Sequence, residues 1–137
     1  MPLGPKTFVV DTNVFVDCPD ILSKVKDPDS AVVPTTVLEE LGKLKINMKV
    51  NKARLTSAIK NINASFSSHL IQLAETDVSV LPDGFDAKNP DTLIISSALK
   101  LKADGRLPVL LTSDVILQGK AIALSVAAIS LRDFNRR

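Results

Sequence analysis

The chain has 137 residues, the length of about one domain, with 45% hydrophobic residues and a net charge of +2, which together exclude a disordered chain. Its one cysteine, Cys18, excludes a disulfide framework and a cysteine metal cluster, and it favours a reducing compartment. The start, MPLGPK, lacks the apolar segment of a secretory signal and no apolar run is as long as a membrane span, so we expect a soluble, cytoplasmic protein.

Short apolar runs predict the strands of the protein. Each run is aliphatic or β-branched and is bounded by turn residues, which is typical of strands buried on both faces. Pro34 suits the end of a strand rather than its middle, because it has no N–H to donate to the ladder. We expect strands at Thr7–Val10, Ala31–Thr36, Val109–Ser113 and Ala127–Leu131, with a short strand or an extended segment at Val78–Pro82.

Helical signals lie between these runs. Thr36 followed by Glu39 matches a capping box, so a helix should begin directly after Thr36. Asn89 followed by Pro90 predicts another capped helix start. We expect helices at Val37–Lys45, Pro90–Ala103 and Asp114–Ser125, and over Asn51–Glu75 as one long helix or as two with a break near Asn61–Asn63.

The order of these elements indicates the fold class. Strands and helices alternate, and the strands are continuously apolar, as in a parallel sheet covered by helices on both faces. Residues 1–137 contain no repeat, low-complexity tract or interior linker, so we predict a single α/β domain.

Four acidic residues stand where a predicted strand ends or a helix begins. In open α/β sheets the functional crevice lies beyond the carboxyl ends of the strands, so these side chains should meet there. An acid in a first helical turn has a structural alternative, since it stabilises the helix dipole by about 0.3–1 kcal/mol. The four residues are Asp11, Glu40, Asp91 and Asp114.

Other acids are interpreted as structural. Glu39 should close the capping box, whereas Glu40 is rotated by about 100° and can point over the end of the sheet. The remaining acids of the first thirty residues have the setting of ordinary loop acids; they are Asp17, Asp20, Asp27 and Asp29.

Carboxylates that converge on one crevice repel each other and raise their pKa values unless a cation neutralises them. Oxygen ligands without paired His or Cys favour a hard ion, Mg²⁺ or Mn²⁺. His69 stands alone in a stretch of helical spacing, and we interpret it as a packed or surface residue rather than a ligand.

Basic residues are concentrated in the middle of the chain, where Leu41–Ala74 contains no Asp or Glu. Such a segment favours an anionic partner, although a solvated helix surface would have the same composition. Next to an acidic metal site it suggests phosphodiester chemistry on a nucleic acid. The residues that we predict to bind RNA are Lys43, Lys45, Lys49, Lys52 and Arg54.

Four segments resemble, in order, the motif blocks of the PIN-domain family: VVDTNVFVD, VVPTTVLEELGKLK, NPDTLIISSALKL and VLLTSDVILQGKAIAL. The resemblance runs from about Lys6 to Phe134. It implies a three-layer α/β/α sandwich with a central parallel sheet, and a ribonuclease that uses Mg²⁺ or Mn²⁺ to cut RNA internally.

The resemblance also implies roles for residues at matching positions. Asp11, Glu40, Asp91 and Asp114 would be the catalytic residues and metal ligands. The polar residues that support them would be Asn13, Thr112 and Ser113, with the side chains of Thr12 and Asn13 hydrogen-bonded to Asp11.

The block VLEELGKLK is more similar to PIN domains associated with PhoH-type ATPases, or to those of RNA decay, than to short toxins. An attached or associated ATPase domain is therefore an expected partner beside RNA, and a homodimer is another. Some family members carry a second acid after the residue that matches Asp91, where this chain has Thr92, so the number of metal ions stays open.

Several alternatives remain. One is a catalytically weak PIN module that binds RNA or a protein; another is a toxin ribonuclease paired with an antitoxin. A haloacid-dehalogenase-type phosphatase would need an acid at Asn13, and a response-regulator receiver would need an early acidic pair that the chain lacks.

Overall fold

A computed structural model describes residues 4–47 and 51–137. Five parallel strands form one sheet in the order β3-β2-β1-β4-β5. The chain therefore adds β2 and β3 on one side of β1, and then β4 and β5 on its other side. The strands are β1 (Lys6–Val10), β2 (Ser30–Pro34), β3 (Ile71–Ala74), β4 (Leu107–Leu111) and β5 (Ala127–Ile129).

Helices connect and cover the strands. They are α1 (Thr12–Asp17), α2 (Thr35–Ile46), α3 (Lys52–Ser65), α4 (Pro90–Ala103), α5 (Val115–Ala123) and α6 (Leu131–Asn135), with short 3-10 turns at Ile21–Lys24 and Val78–Val80. The predicted α/β fold, a central parallel sheet flanked by helices, is confirmed.

Both faces of the sheet are covered, as the burial of its central strand shows. Side chains of consecutive strand residues point to opposite faces, and Phe8, Val9 and Val10 of β1 are all at most 1% exposed. The α4 helix packs against β1 and β4. Within the described ranges, no helix has both the length and the apolar character needed to cross a bilayer.

The start of α2 differs from the prediction. The helix begins at Thr35 rather than Val37, with Pro34 before it and no side-chain cap. The capping box was therefore wrong: Thr36 already lies inside the helix and is buried, and Glu39 is exposed. Pro34 has no side-chain acceptor for the first N–H groups of the helix, and its fixed φ sets the direction in which the chain enters α2.

The predicted long helix over Asn51–Glu75 is also wrong in its second half. The α3 helix ends at Ser65, and the chain returns to the sheet as β3. This edge strand pairs with β2 from Ile71 opposite Ala31 to Ala74 opposite Pro34. Its apolar residues also fit helical spacing, and the tertiary pairing with β2 decides between the two structures.

Two short helices went unpredicted. The strand β1 ends directly before Asp11, which is the N-cap residue of α1, and β5 ends at Ile129 before α6. The segment predicted as strand or extended at Val78–Pro82 contains a 3-10 turn. Asn89 caps α4 with Pro90 as its first residue, as predicted.

Candidate active site

The site lies where β1 and β4 end side by side. Val10 is opposite Leu111 in the parallel register, and the backbone N–H of Asp11 donates to the carbonyl of Leu111 at 3.0 Å. Residues that follow the two strands are thus neighbours although 101 positions separate Asp11 from Thr112. This is the point where the strand order reverses, the usual location of a site in open α/β sheets.

Asp11 is the most buried acid of the site, with 5% of its surface exposed. Its Oδ1 accepts from the backbone N–H of Thr12 at 2.7 Å, and its Oδ2 accepts from Asn13 Nδ2 at 3.2 Å and Thr112 Oγ1 at 2.6 Å. Burial raises the pKa of Asp11, the hydrogen bonds from Thr112 and Thr12 oppose that rise, and the nearby carboxylates of Asp91 and Glu40 add to it.

Asp114 both caps α5 and belongs to the site. Its Oδ1 accepts from the backbone N–H groups of Ile116 at 2.9 Å and Leu117 at 3.2 Å. Its own backbone N–H donates to Thr112 Oγ1 at 3.1 Å, the same hydroxyl that donates to Asp11. Thr112 therefore ties the first residue after β1 to the start of α5.

Glu40 is held by a contact that the sequence did not predict. The hydroxyl of Thr12 donates to Glu40 Oε1 at 2.7 Å. The expectation that the Thr12 side chain would hydrogen-bond Asp11 was therefore wrong. Asn13 does bond Asp11 as expected, and its Oδ1 accepts from the backbone N–H of Ser113 at 3.4 Å. Ser113 itself is exposed, and it contributes this N–H rather than its hydroxyl.

Asp91 lies in the first turn of α4 and is half-buried. Its backbone N–H donates to Asn89 Oδ1 at 2.9 Å, so the cap fixes the backbone from which the side chain extends. In the described part of the chain, its carboxylate accepts no hydrogen bond. Asp91 thus carries the least constrained carboxylate of the four.

All four predicted acids line one cavity of about 320 Å³, together with Thr12 and Asn13. The same cavity is lined by a residue that the sequence reading set aside. Asp17 is exposed, ends α1 and faces the cavity, so its interpretation as a loop acid was wrong. The four-residue spacing between Asn13 and Asp17 would have revealed it, had α1 been recognised. Val16 and Leu44 form the apolar part of the cavity wall.

The donor set has the chemistry that a hard divalent cation requires. Carboxylate oxygens from four chain segments face one cavity, and their mutual repulsion contributes to the raised pKa of Asp11. Across residues 4–47 and 51–137, no three His, Cys, Asp or Glu side chains are grouped closely enough to hold an ion. The acids line the cavity without forming a ready coordination shell.

The basic residues predicted to bind RNA lie outside the cavity. Lys43 and Lys45 are exposed in the last turns of α2, and Lys52 and Arg54 are exposed in the first turn of α3. Lys49 lies outside the described residues. His69 is exposed in the turn before β3 and does not line the cavity.

Comparison with known proteins agrees with this fold. A curated relative, Protein PhoH2 of Mycolicibacterium smegmatis, is 27% identical over 139 residues, covering 90% of this chain and 31% of that protein. The chain thus spans about a third of the length of the curated relatives that it matches.

Two solved structures share the fold. One is a domain of a functionally unknown protein from Methanocaldococcus jannaschii, with a TM-score of 0.61 and 24% identity, covering 93% of this chain and 91% of that one. The other is the PIN domain of human SMG5, with a TM-score of 0.60 and 18% identity, covering 96% and 98%. A family model described as PIN domain matches residues 8–132. The chain therefore belongs to the PIN-domain family.

Proposed function

We propose that this PIN domain is a ribonuclease that hydrolyses phosphodiester bonds within RNA, with Mg²⁺ or Mn²⁺ held by Asp11, Glu40, Asp91 and Asp114. The family is one of typically metal-dependent ribonucleases. The observation that carries the proposal is that these four carboxylates converge on one cavity. One of them, that of Asp11, is buried and accepts three hydrogen bonds.

Each acid has a distinct part in this proposal. Asp11 is the fixed ligand, since three donors set the orientation of its carboxylate. Glu40 is oriented by Thr12, and Asp114 by the backbone of α5. Asp91 is free to adjust, because no hydrogen bond restrains its carboxylate among the described residues.

A bound divalent cation would polarise the phosphate, lower the pKa of the attacking water and stabilise the leaving oxygen. Val16 and Leu44 contribute apolar side chains to the lining of the same cavity. The helices α1, α4 and α5 all begin at this cavity. The partial positive charges of their N-termini offset part of the negative charge of the carboxylates.

RNA is the proposed substrate because exposed lysines and an arginine stand at the end of α2 and the start of α3, and one of them, Lys43, is three positions after the cavity residue Glu40 on the same helix. In the described part of the chain none of them forms an ion pair, so their charges are available to phosphates. Phosphate contacts of this kind are non-specific and are weakened by salt.

The test is cleavage of labelled single-stranded RNA by the purified protein with Mg²⁺, with Mn²⁺ and with EDTA. We expect cleavage in either metal and none in EDTA. Asp11→Asn and Asp114→Asn should each lose at least about a hundredfold in kcat, by analogy with the loss of a single electrostatic group in other active sites.

The matched control is Glu39→Gln, which removes one carboxylate from the exposed face of α2 next to Glu40 and should retain the wild-type rate. Equal rates in wild type, Asp11→Asn and Asp114→Asn would indicate a contaminating nuclease and end the catalytic proposal. Tight, salt-dependent RNA binding without turnover in either metal would favour a binding module instead.

We also propose that the domain acts with a PhoH-like ATPase, either joined to it or bound to it. This rests on the similarity to Protein PhoH2, of which the alignment covers 31%. Isolation of the protein from its native cells, followed by mass spectrometry of the whole polypeptide and its partners, tests the proposal. A preparation that contains no PhoH-like ATPase sequence would contradict it.

A further inference from the structure

We propose that Lys43 and Leu44 of α2 form a nucleotide subsite directly beside the acidic cavity. Lys43 would contact the phosphate next to the one being cleaved, and Leu44 would contact the sugar or base between them. The proposal rests on the proposed ribonuclease function for the identity of the ligand, a single-stranded RNA.

The first observation is that the acidic cavity continues into a second cleft. The second cleft, of about 210 Å³, is lined by Glu40, Lys43, Leu44 and Asn47. Glu40 and Leu44 also line the acidic cavity, so the two spaces meet at these side chains. The clefts together form a track that leads from the carboxylates along α2 towards its C-terminal end.

The track follows one stripe of the helix surface. The four residues that line the second cleft have the spacing i, i+3, i+4 and i+7, which places them on the same side of α2. Lys43 lies about 4.5 Å further along the helix axis than Glu40. A chain with one phosphate at the carboxylates can therefore present its next phosphate to the flexible Lys43 side chain.

The charges along the track single out Lys43 from the other basic residues. The acidic cavity is lined by five carboxylates, counting Asp17, and repels an RNA backbone. Among the described residues, Lys43 is the only lysine or arginine that lines either cleft. Lys45, two positions further on, is exposed but lines neither of them.

Leu44 supplies a different kind of contact. Its half-buried side chain lines both clefts and so presents apolar surface to each of them. A phosphate gains nothing from such a surface, whereas the face of a base or the carbons of a ribose can pack on it. Lys43 and Leu44 are consecutive residues, three and four positions after Glu40, so an ammonium that suits a phosphate and an apolar surface that suits a nucleoside lie side by side about one helical turn from the carboxylate.

The experiment is equilibrium binding of a short fluorescein-labelled single-stranded RNA, measured by anisotropy over a series of KCl concentrations in EDTA, so that cleavage does not enter the measurement. Lys43→Ala should weaken binding about five- to tenfold at low salt and reduce the slope of log K against log salt by about 0.7, the value of one phosphate contact on a single strand. Lys26→Ala removes the same charge from an exposed residue that lines neither cleft and should weaken binding by about twofold or less, since only a long-range attraction is lost.

Leu44→Ala separates the two halves of the subsite. It should weaken binding without changing the salt slope, because an apolar contact releases no counterions, and Leu44→Met should retain the wild-type affinity. Thermal melting of each variant establishes that it is folded. Equal losses in Lys43→Ala and Lys26→Ala, or undetectable binding by the wild type at low salt, would overturn the proposal. A protein that binds in this pattern but cleaves nothing would retain the subsite and lose only the proposed ribonuclease activity.

Discussion

The hydroxyl of Thr12 donates a 2.7 Å hydrogen bond to Glu40 Oε1, while the backbone N–H of the same residue donates to Asp11 Oδ1, also at 2.7 Å. One buried residue thus orients two carboxylates that are distant in the sequence, that of Asp11, which caps α1, and that of Glu40 in α2. Thr12 completes a chain of contacts that runs from Glu40 through Asp11 to Thr112 and Asp114.

Replacing Thr12 by Val should weaken metal binding at the proposed site while it preserves the shape of the side chain. The bond to Glu40 is lost, the bond from the backbone to Asp11 remains, and partners of this kind typically change metal affinity or activity by about 10- to 100-fold. Calorimetric titration with Mn²⁺ and the cleavage rate are the two measurements. Thr12→Ser keeps the hydroxyl and should restore both, and a Val variant with wild-type Mn²⁺ affinity would show that the contact has no positioning role.

The raised pKa of Asp11 makes a prediction about stability in the absence of metal. The ordinary pKa of an aspartate is 3.8, so at a pH above 3.8 the Asp11 carboxylate binds a proton more tightly in the folded protein than in the unfolded chain. The free energy of unfolding should therefore fall as the pH rises from 3.8 through the raised pKa, and level off above it. Thermal melting in EDTA across this range should show the fall in the wild type and a smaller one in Asp11→Asn. Glu39→Gln is the control for the loss of one carboxylate, and an identical pH profile for wild type and Asp11→Asn would contradict the prediction.

Divalent cations should restore the stability that the protein without metal loses when Asp11 is ionised. A ligand that binds only the native state stabilises it by about 2.7 kcal/mol at a hundred times its Kd, which for a chain of this size corresponds to roughly 10 °C in melting temperature. We expect Mn²⁺ to raise the Tm of the wild type and of Glu39→Gln, and to leave that of Asp11→Asn nearly unchanged. A wild-type Tm indifferent to millimolar Mn²⁺, at matched ionic strength, would count against a metal site.

Asn89 offers a test of how the backbone positions Asp91. Its Oδ1 accepts from the backbone N–H of Asp91, so Asn89→Ala should destabilise the protein by about 1 kcal/mol and also loosen the acid. Asn51 is an equivalent cap on α3, accepting from Ala53 and Arg54, and it does not line the cavity. Urea denaturation should give similar losses for Asn89→Ala and Asn51→Ala, whereas kcat at saturating RNA should fall only for Asn89→Ala. If kcat falls equally in both, the loss reflects stability alone.

Local sequence rules predicted those parts of the fold that local interactions determine. The strand before Asp11 and the Asn89–Pro90 start of α4 are of this kind, because burial of an apolar run and capping of a first turn act within a few residues. The β3 strand could not be recognised in the same way. Its apolar spacing also fits a helix, and only its pairing with β2 gives it strand structure.

The site shows the same division. The four acids could be selected from their positions at strand ends and helix starts, and the structure brings them to one cavity. The partner of Glu40 could not be predicted, because it depends on how α1 packs against α2. Asp17 was missed for a related reason: without α1, nothing in the sequence distinguished it from acids in loops.

The strand order has a consequence for how the site comes into existence. Residues before Val80 contain β1, β2 and β3 with Asp11 and Glu40, and those after it contain β4 and β5 with Asp91 and Asp114. Neither half of the polypeptide holds a complete set of acids, and the seam between them is the β1–β4 pairing. For the proposed ribonuclease we therefore expect two fragments, produced by a break in the loop between β3 and α4, to be inert when separate and to cleave RNA only when they reassemble through the β1–β4 pairing.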